Sequence, residues 1–232
     1  MNKREQQRLI REQKQQAAER KQKLQKNLTR AALVILVPLV LIGVLYGFLG
    51  QGEVYAPDQV GAADHVKGNP DAPITMVVYA DFQCPACATE HRVMAQAWPR
   101  IAERVQLVFR HYPLTSTHQH AWSAALYAEA AGAQGKFWEM YDLLFLNQAY
   151  WSTLIDVESE FDGYLEQLDL DVEQAHQDMA SDVLAQKVRN DQRGGTRAGV
   201  RSTPALFVNG RQNPVPQNPI DMIALVNRHS ES

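Results

Sequence analysis

The segment DFQCPACATEH, residues 81–91, contains both cysteines of the 232-residue chain, Cys84 and Cys87. Two cysteines with this spacing can form half of a zinc site, a structural disulfide, or a redox-active dithiol. A zinc site needs four ligands, and although His91 could supply one, the sequence has no second cysteine pair. A disulfide across two residues closes a very small loop and stabilises little. The spacing therefore favours a redox dithiol.

The flanking residues predict how this dithiol is positioned. ITMVVYA, residues 74–80, is a short apolar run rich in β-branched residues, which is typical of a buried strand. Apolar residues at helical spacing follow Cys84, and they predict a helix with a break or kink at Pro99. The cysteines then stand at a helix N-terminus, where free N–H groups and the helix dipole favour the thiolate of Cys84.

This placement assigns a role to each residue of the CPAC motif. Cys84 is predicted to be the nucleophile and the leaving thiolate, and Cys87 the resolving thiol in the first turn. Pro85 suits the first helical position because it needs no N–H there. Ala86 adds neither charge nor a side-chain donor, so we expect the backbone to supply most of the thiolate stabilisation. Glu90 and His91 are expected to modulate the electrostatic field of the dithiol.

The sequence after the CPAC motif predicts a small α/β core with a long helical segment inside it. VQLVFRHYPL (105–114) predicts a second strand, and ALFVNG (205–210) a third that ends in an Asn-Gly turn. Helical patterns fill most of the interval between them, and a last amphipathic helix closes the chain. The helical subdomain is predicted at about 115–195. Within it, His118 and His120 are expected to begin a helix at the surface, and most aromatic residues to belong to the core.

The N-terminal part has a different composition. Residues 1–30 contain ten Lys and Arg against three Asp and Glu, so the rest of the chain carries a net charge of −10, which argues against a nucleic-acid partner. Residues 31–50 contain no charged side chain, and about twenty helical residues span a bilayer. We predict a transmembrane helix there. A cleavable signal peptide is the alternative, although this run exceeds the usual length of a signal core, about 7 to 15 residues.

The charge distribution orients this predicted span. Lys and Arg residues precede it, so the tail (1–30) is expected in the cytosol. Residues 51–72 are rich in Gly, Pro and small polar residues and are predicted to be a linker. The folded domain (73–232) is then expected outside the cytoplasm, where cysteines can be oxidised.

From residue 68 to the end, the sequence resembles the membrane-anchored bacterial branch of the DsbA-like thiol-disulfide oxidoreductases of the thioredoxin superfamily. The resemblance rests on four segments: GNPDAPITMVVYADFQCPAC (68–87), FRHYPL (109–114), AEAAGAQGKFWEMYDLLFLNQ (128–148) and GVRSTPALFVNG (199–210). It implies a thioredoxin-like core with an inserted helical subdomain, preceded here by one N-terminal transmembrane helix.

The resemblance also implies several site features. It implies a cis peptide between Thr203 and Pro204 that faces the cysteines, backbone pairing of Thr203 with the substrate chain, and tuning of Cys84 by the Thr203 side chain. Many relatives carry a buried carboxylate six residues before the first cysteine, where this chain has Val78. Asp81 is expected to cap the turn before the motif.

Together these features predict a single-pass protein of the bacterial cytoplasmic (inner) membrane, with an enzymatic domain in the periplasm or an equivalent extracytoplasmic space. It is expected to oxidise cysteines of translocated proteins, a reaction that needs no organic cofactor and no metal. The family implies reoxidation by a membrane quinone-linked partner. A reductase or isomerase on the same fold, and a non-enzymatic membrane-anchored peptide-binding or assembly factor, remain alternatives.

Overall fold

The computed structural model describes residues 54–230, the helical residues 34–40, and Arg20 and Lys26. The predicted cytosolic tail and most of the predicted transmembrane helix therefore lie outside the described residues. Residues 34–40 are helical and exposed. Within the described parts of the chain, no helix is both long enough and apolar enough to cross a membrane. The chain divides into two compact units, Met1–Gln51 and Gly52–Ser232.

The second unit is built on one mixed sheet. Its strands are β1 (His65–Gly68), β2 (Ile74–Ala80), β3 (Val105–His111), β4 (Ala205–Val208) and β5 (Arg211–Asn213). They lie in the order β1-β3-β2-β4-β5, and β2 and β3 are parallel while the other neighbours are antiparallel. β4 and β5 are joined by Asn209 and Gly210, both with positive φ, which confirms the predicted Asn-Gly turn.

Strand β2 is buried on both faces because its side chains alternate between two apolar clusters. Met76 and Val78 belong to the larger cluster, and Val77 and Tyr79 to the smaller one on the opposite face. The continuous apolar run of β2 is what this central position requires.

Helices cover this sheet. Helix α1 (Pro85–Ile101) packs against the last helix, α8 (Pro219–Ser230). The predicted helical subdomain corresponds to six helices between β3 and β4: α2 (Ala121–Ala133), α3 (Phe137–Leu146), α4 (Gln148–Trp151), α5 (Glu158–Gln167), α6 (Val172–Ala180) and α7 (Asp182–Arg197). The predicted break at Pro99 was wrong, because Pro99 lies in the last turn of α1 and the helix ends two residues later.

The predicted linker, 51–72, is corrected by the structure for the residues described there. Strand β1 lies within this range and pairs with β3. The buried Arg110 of β3 donates hydrogen bonds to both carboxylate oxygens of Asp64, at 3.0 and 2.8 Å, and to the carbonyls of Tyr55 and Ala56. A buried guanidinium needs such partners, so this segment belongs to the folded domain.

Candidate active site

The two cysteines lie where β2 ends and α1 begins. Cys84 is the N-cap residue of α1, and Pro85 opens the helix, as predicted. Both cysteines are free thiols. Cys84 retains 8% of its surface and Cys87 retains none, whereas Pro85 and Ala86 are exposed. The structure therefore presents one sulfur at the rim of the site and covers the other.

The segment before β4 forms the opposite wall of this site. The Thr203-Pro204 peptide is cis, in agreement with the family resemblance. When protonated, the Cys84 thiol donates to the carbonyl oxygen of Thr203, with 3.6 Å between sulfur and oxygen. The Thr203 hydroxyl oxygen is buried and has no hydrogen-bond partner among the described residues. This hydroxyl is thus available to a thiolate at Cys84.

The two thiols have opposite acidities. Hydrogen bonding from the Cys87 thiol is the largest influence on Cys84 and lowers its pKa to about 5, although burial opposes this. The Thr203 side chain makes the next largest contribution to this lowering of the pKa, followed by the backbone N–H groups of Cys87 and Ala86. The expectation that the backbone would dominate was therefore wrong. The pKa of Cys87 lies far above its ordinary range, first because Cys87 is buried and then because its thiol hydrogen bonds to Cys84.

Asp81 organises the turn that leads into the CPAC motif. One carboxylate oxygen accepts a hydrogen bond from the backbone N–H of Gln83 at 2.7 Å. The other accepts one from the backbone N–H of Leu114 at 2.8 Å and contacts Nδ1 of His118 at 2.8 Å. The predicted capping role is confirmed. His118 is half-buried rather than fully at the surface as predicted, because its ring turns inward to this carboxylate.

The helical subdomain also holds this turn, which the sequence analysis missed. The side-chain amide of Gln148 donates to the carbonyl of Phe82 at 2.6 Å and to that of Cys84 at 2.9 Å. The Gln83 side-chain oxygen accepts from the backbone N–H of His120 at 2.7 Å. His120 begins a helix as predicted, since it is the N-cap residue of α2. It is buried rather than exposed, because its ring hydrogen bonds to the carbonyl of Leu154.

Aromatic residues fill the space behind the turn. Phe82 contacts the rings of Phe109, Tyr141 and Phe145. Phe137, Tyr141 and Phe145 are buried, which confirms that these aromatic residues of the helical subdomain belong to the core. Their packing gives the redox motif a rigid support.

A second polar cluster lies apart from the cysteines. His111, Glu129 and Asp191 could together hold a metal ion by the spacing of their ligand atoms. However, the Lys187 ammonium lies 2.6 Å from Asp191, and His65 hydrogen bonds to Glu129. A lysine side chain thus supplies the positive charge that these carboxylates need, and the cluster fastens α2 and α7 to β3.

Comparison with known proteins agrees with this fold. A family model described as thioredoxin matches residues 61–228. The chain is 38% identical over 179 residues to Na(+)/H(+) antiporter NhaA 1 of Salinispora arenicola, a match that covers 75% of this chain and 25% of the antiporter. The chain spans about a quarter of the length of these curated relatives.

Solved structures share the fold. BdbD from Bacillus subtilis matches with a TM-score of 0.66 at 16% identity, covering 78% of this chain and all of BdbD. Alpha-DsbA1 from Wolbachia pipientis matches with a TM-score of 0.66 at 18% identity, covering 76% of this chain and 97% of that one. The chain belongs to the thioredoxin family, and it shares its fold with these two solved structures.

Proposed function

We propose that this protein is a membrane-tethered thiol-disulfide oxidoreductase whose catalytic residues are Cys84 and Cys87. The observation that carries the proposal is the asymmetry of the two thiols. Cys84 borders the surface and its pKa is lowered to about 5, so it is a thiolate at neutral pH, whereas the buried Cys87 stays protonated. The thiolate is both the attacking and the better leaving form of a cysteine.

The reaction follows from this asymmetry. A substrate thiolate attacks the sulfur of Cys84 in the Cys84–Cys87 disulfide, that bond breaks, and its electron pair leaves on Cys87, which takes up a proton. A second substrate thiolate attacks the mixed disulfide, forms the substrate disulfide and releases Cys84 as a thiolate. The substrate loses two electrons and the enzyme gains them. Thr203 and Pro204 face Cys84 and would pair with the substrate chain, while the exposed Pro85 and Ala86 border its approach.

The proposed direction is oxidation of cysteines in translocated proteins outside the cytoplasm. A stabilised thiolate favours the reduced enzyme, and an enzyme that prefers to be reduced donates its disulfide. Reoxidation is assigned to a membrane quinone-linked oxidoreductase, which the predicted anchor would keep close. The relatives named as antiporters contain a segment like this one within a much longer chain, which supports a redox domain that works while attached to a membrane protein.

The reduction potential tests the direction. The full-length protein is equilibrated in glutathione buffers of known ratio, and its thiols are then alkylated and counted by mass. A potential near that of DsbA, about −120 mV, is expected for an oxidase. A value near that of thioredoxin, about −270 mV, would instead indicate a reductase that needs an electron supply.

Cysteine substitutions separate catalysis from binding. Cys84→Ser is expected to abolish turnover, whereas a peptide-binding factor would keep its cellular role. Cys87→Ser is expected to accumulate mixed disulfides with substrates through Cys84. Adducts that form equally well through Cys87 in Cys84→Ser would contradict the assigned roles.

A further inference from the structure

Glu90 is a buried carboxyl group that the site described above does not use. It is 3% exposed, and its Oε1 atom has no hydrogen-bond partner in the described part of the chain. Buried polar groups are nearly always hydrogen bonded, so an exception requires a physical reason. Burial alone raises the pKa of Glu90 to about 8, so the carboxyl exchanges its proton close to neutral pH.

Glu90 is a neighbour of Cys87, the buried cysteine of the dithiol, on helix α1. It follows Cys87 by three residues on α1, and such residues are neighbours on one face of a helix, with Cβ atoms about 5 to 6 Å apart. On α3, the pKa of Tyr141 is raised well above its ordinary value, first by burial and then by negative charge on Glu90, Asp142 and Cys87. These groups therefore share one neighbourhood, in which His91 is the adjacent residue of α1.

A pocket links Glu90 to the surface. The pocket has a volume of about 300 Å³ and is lined by Ala86, Thr89, Glu90, Pro204, Val215 and Gln217, together with Pro216. Ala86 and Gln217 are exposed, so the pocket opens to solvent. Since one water occupies about 30 Å³ in the liquid, this volume accommodates several. Residues 204 and 215–217 contribute no ionisable side chain to it.

The other carboxyl groups around the motif are already engaged. The Asp81 carboxylate accepts two backbone hydrogen bonds and contacts His118. The Asp142 carboxylate, which is 44% exposed, lies 2.8 Å from Nε2 of His91. Glu90 therefore differs from both in being buried with an unpaired oxygen.

We propose that Glu90 is the proton donor and acceptor for Cys87 and that it exchanges its own proton with solvent through this pocket. The inference rests on the proposed function and adds a residue to it. When a substrate opens the Cys84–Cys87 disulfide, the Cys87 thiolate takes the proton of the Glu90 carboxyl, which is then restored from solvent through the pocket. During reoxidation the Glu90 carboxylate accepts the Cys87 thiol proton, and the thiolate attacks Cys84 in the mixed disulfide and expels the partner's thiolate.

Oxidation of the reduced full-length protein by the aromatic disulfide DTNB separates the two steps. Cys84 attacks first and releases one thionitrobenzoate, and Cys87 then closes the disulfide and releases a second. Stopped-flow absorbance resolves the two phases. In the wild type, the second rate should rise with pH and level off above about pH 8, where Glu90 is ionised. The first phase does not depend on Glu90.

Glu90→Gln keeps the size of the side chain and removes its proton exchange. The second phase should slow by about 100-fold at pH 8, the lower end of what a positioned acid-base group contributes, and should lose its plateau. Glu90→Asp should keep the plateau with a smaller loss of rate. Glu139→Gln, the same change at an exposed site on α3, should alter neither phase.

The outcomes distinguish this inference from the proposed function. If the wild type releases only one thionitrobenzoate, or none, the dithiol chemistry itself fails. If the wild type shows both phases and Glu90→Gln retains the rate and the pH profile of the second, only the role of Glu90 fails. Should Glu90→Gln not fold, judged by circular dichroism, Glu90→Asp decides, since loss of the plateau in this folded carboxyl variant would refute the proposal.

Discussion

Removing the Cys87 thiol should raise the pKa of Cys84, because hydrogen bonding from that thiol is the largest influence holding the pKa near 5. A hydrogen bond to a charged group contributes about 1.5 to 3 kcal/mol, and each pKa unit corresponds to about 1.4 kcal/mol. Cys87→Ala should therefore move the midpoint to about 6 to 7. Cys87→Ser keeps a hydroxyl donor and should stay within about one unit of the wild type.

The assay is simple because the chain has only two cysteines, so each variant carries a single thiol. The rate of Cys84 alkylation by iodoacetamide is measured against pH by mass spectrometry, and the ultraviolet absorbance of the thiolate provides a second reading. Equal midpoints for wild type, Cys87→Ala and Cys87→Ser would refute the hydrogen-bond explanation. Midpoints near the ordinary cysteine value of about 8.5 in all three proteins would refute the stabilised thiolate altogether.

The same lowered pKa predicts how the stability of the reduced protein depends on pH. A depressed native pKa stabilises the folded state fully above the unfolded pKa of about 8.5, and this contribution disappears as pH falls through about 5. At pH 7 this stabilisation of the reduced protein should amount to about 2.7 kcal/mol, which raises the reduction potential by about 60 mV. Urea unfolding of the reduced wild type and of Cys84→Ser measures this contribution. The measurements run from about pH 4 to about pH 9, a range that includes both pKa values.

Three further changes test other features. Glu90→Gln should leave stability unchanged near pH 4 and stabilise the protein by about 3 kcal/mol at pH 7, because the raised pKa of Glu90 costs the native state about 1.4 kcal/mol per pH unit between about 4.5 and 8. Arg110→Ala should destabilise by about 3 to 5 kcal/mol, since it leaves the Asp64 carboxylate buried without its partner. Gln148→Ala removes the amide that donates to the carbonyls of Phe82 and Cys84, and it should slow the reaction of Cys84 with DTNB.

Denaturant unfolding checks the first two changes, and Arg201→Ala at an exposed position is the control for Arg110. A loss below about 1 kcal/mol for Arg110→Ala, the range of surface ion pairs, would contradict the structural role of the buried guanidinium. For Glu90, stabilisation that is independent of pH would point to packing instead of ionisation. For Gln148, an unchanged first DTNB phase would show that the turn holds its shape without the amide.

The position of the two cysteines at a helix N-terminus was predictable because its signals are local. The apolar run of β2, Pro85 at the first helical position and the helical spacing after it are adjacent in sequence, and together they place Cys84 at a helix N-terminus. The Asn-Gly turn is equally local. By contrast, the contact between Cys84 and Thr203 joins residues 119 positions apart and was reached only through the family resemblance.

The predictions from sequence were wrong where contacts with residues distant along the chain determine the structure. Strand β1 has only four residues, and polar and apolar residues do not alternate along it. Its pairing with β3 could therefore not be deduced from the sequence. Arg110 lies in a strand, and nothing nearby in sequence indicates that its guanidinium is buried against Asp64. The burial of Glu90 beside residues 204 and 215–217 is equally non-local. The inward turn of His118 depends on Asp81, which lies 37 residues earlier in the chain.

The Gln148 amide connects the helical subdomain to the redox motif through the carbonyls of Phe82 and Cys84. Cys84, the proposed nucleophile, is thus held from two sides, by its own helix and by a segment inserted more than sixty residues later. Substitutions in that insertion can shift the position of Cys84 without changing the CPAC motif. Two proteins with an identical motif can therefore differ in reactivity, and the motif alone is an incomplete guide to redox strength in chains built this way.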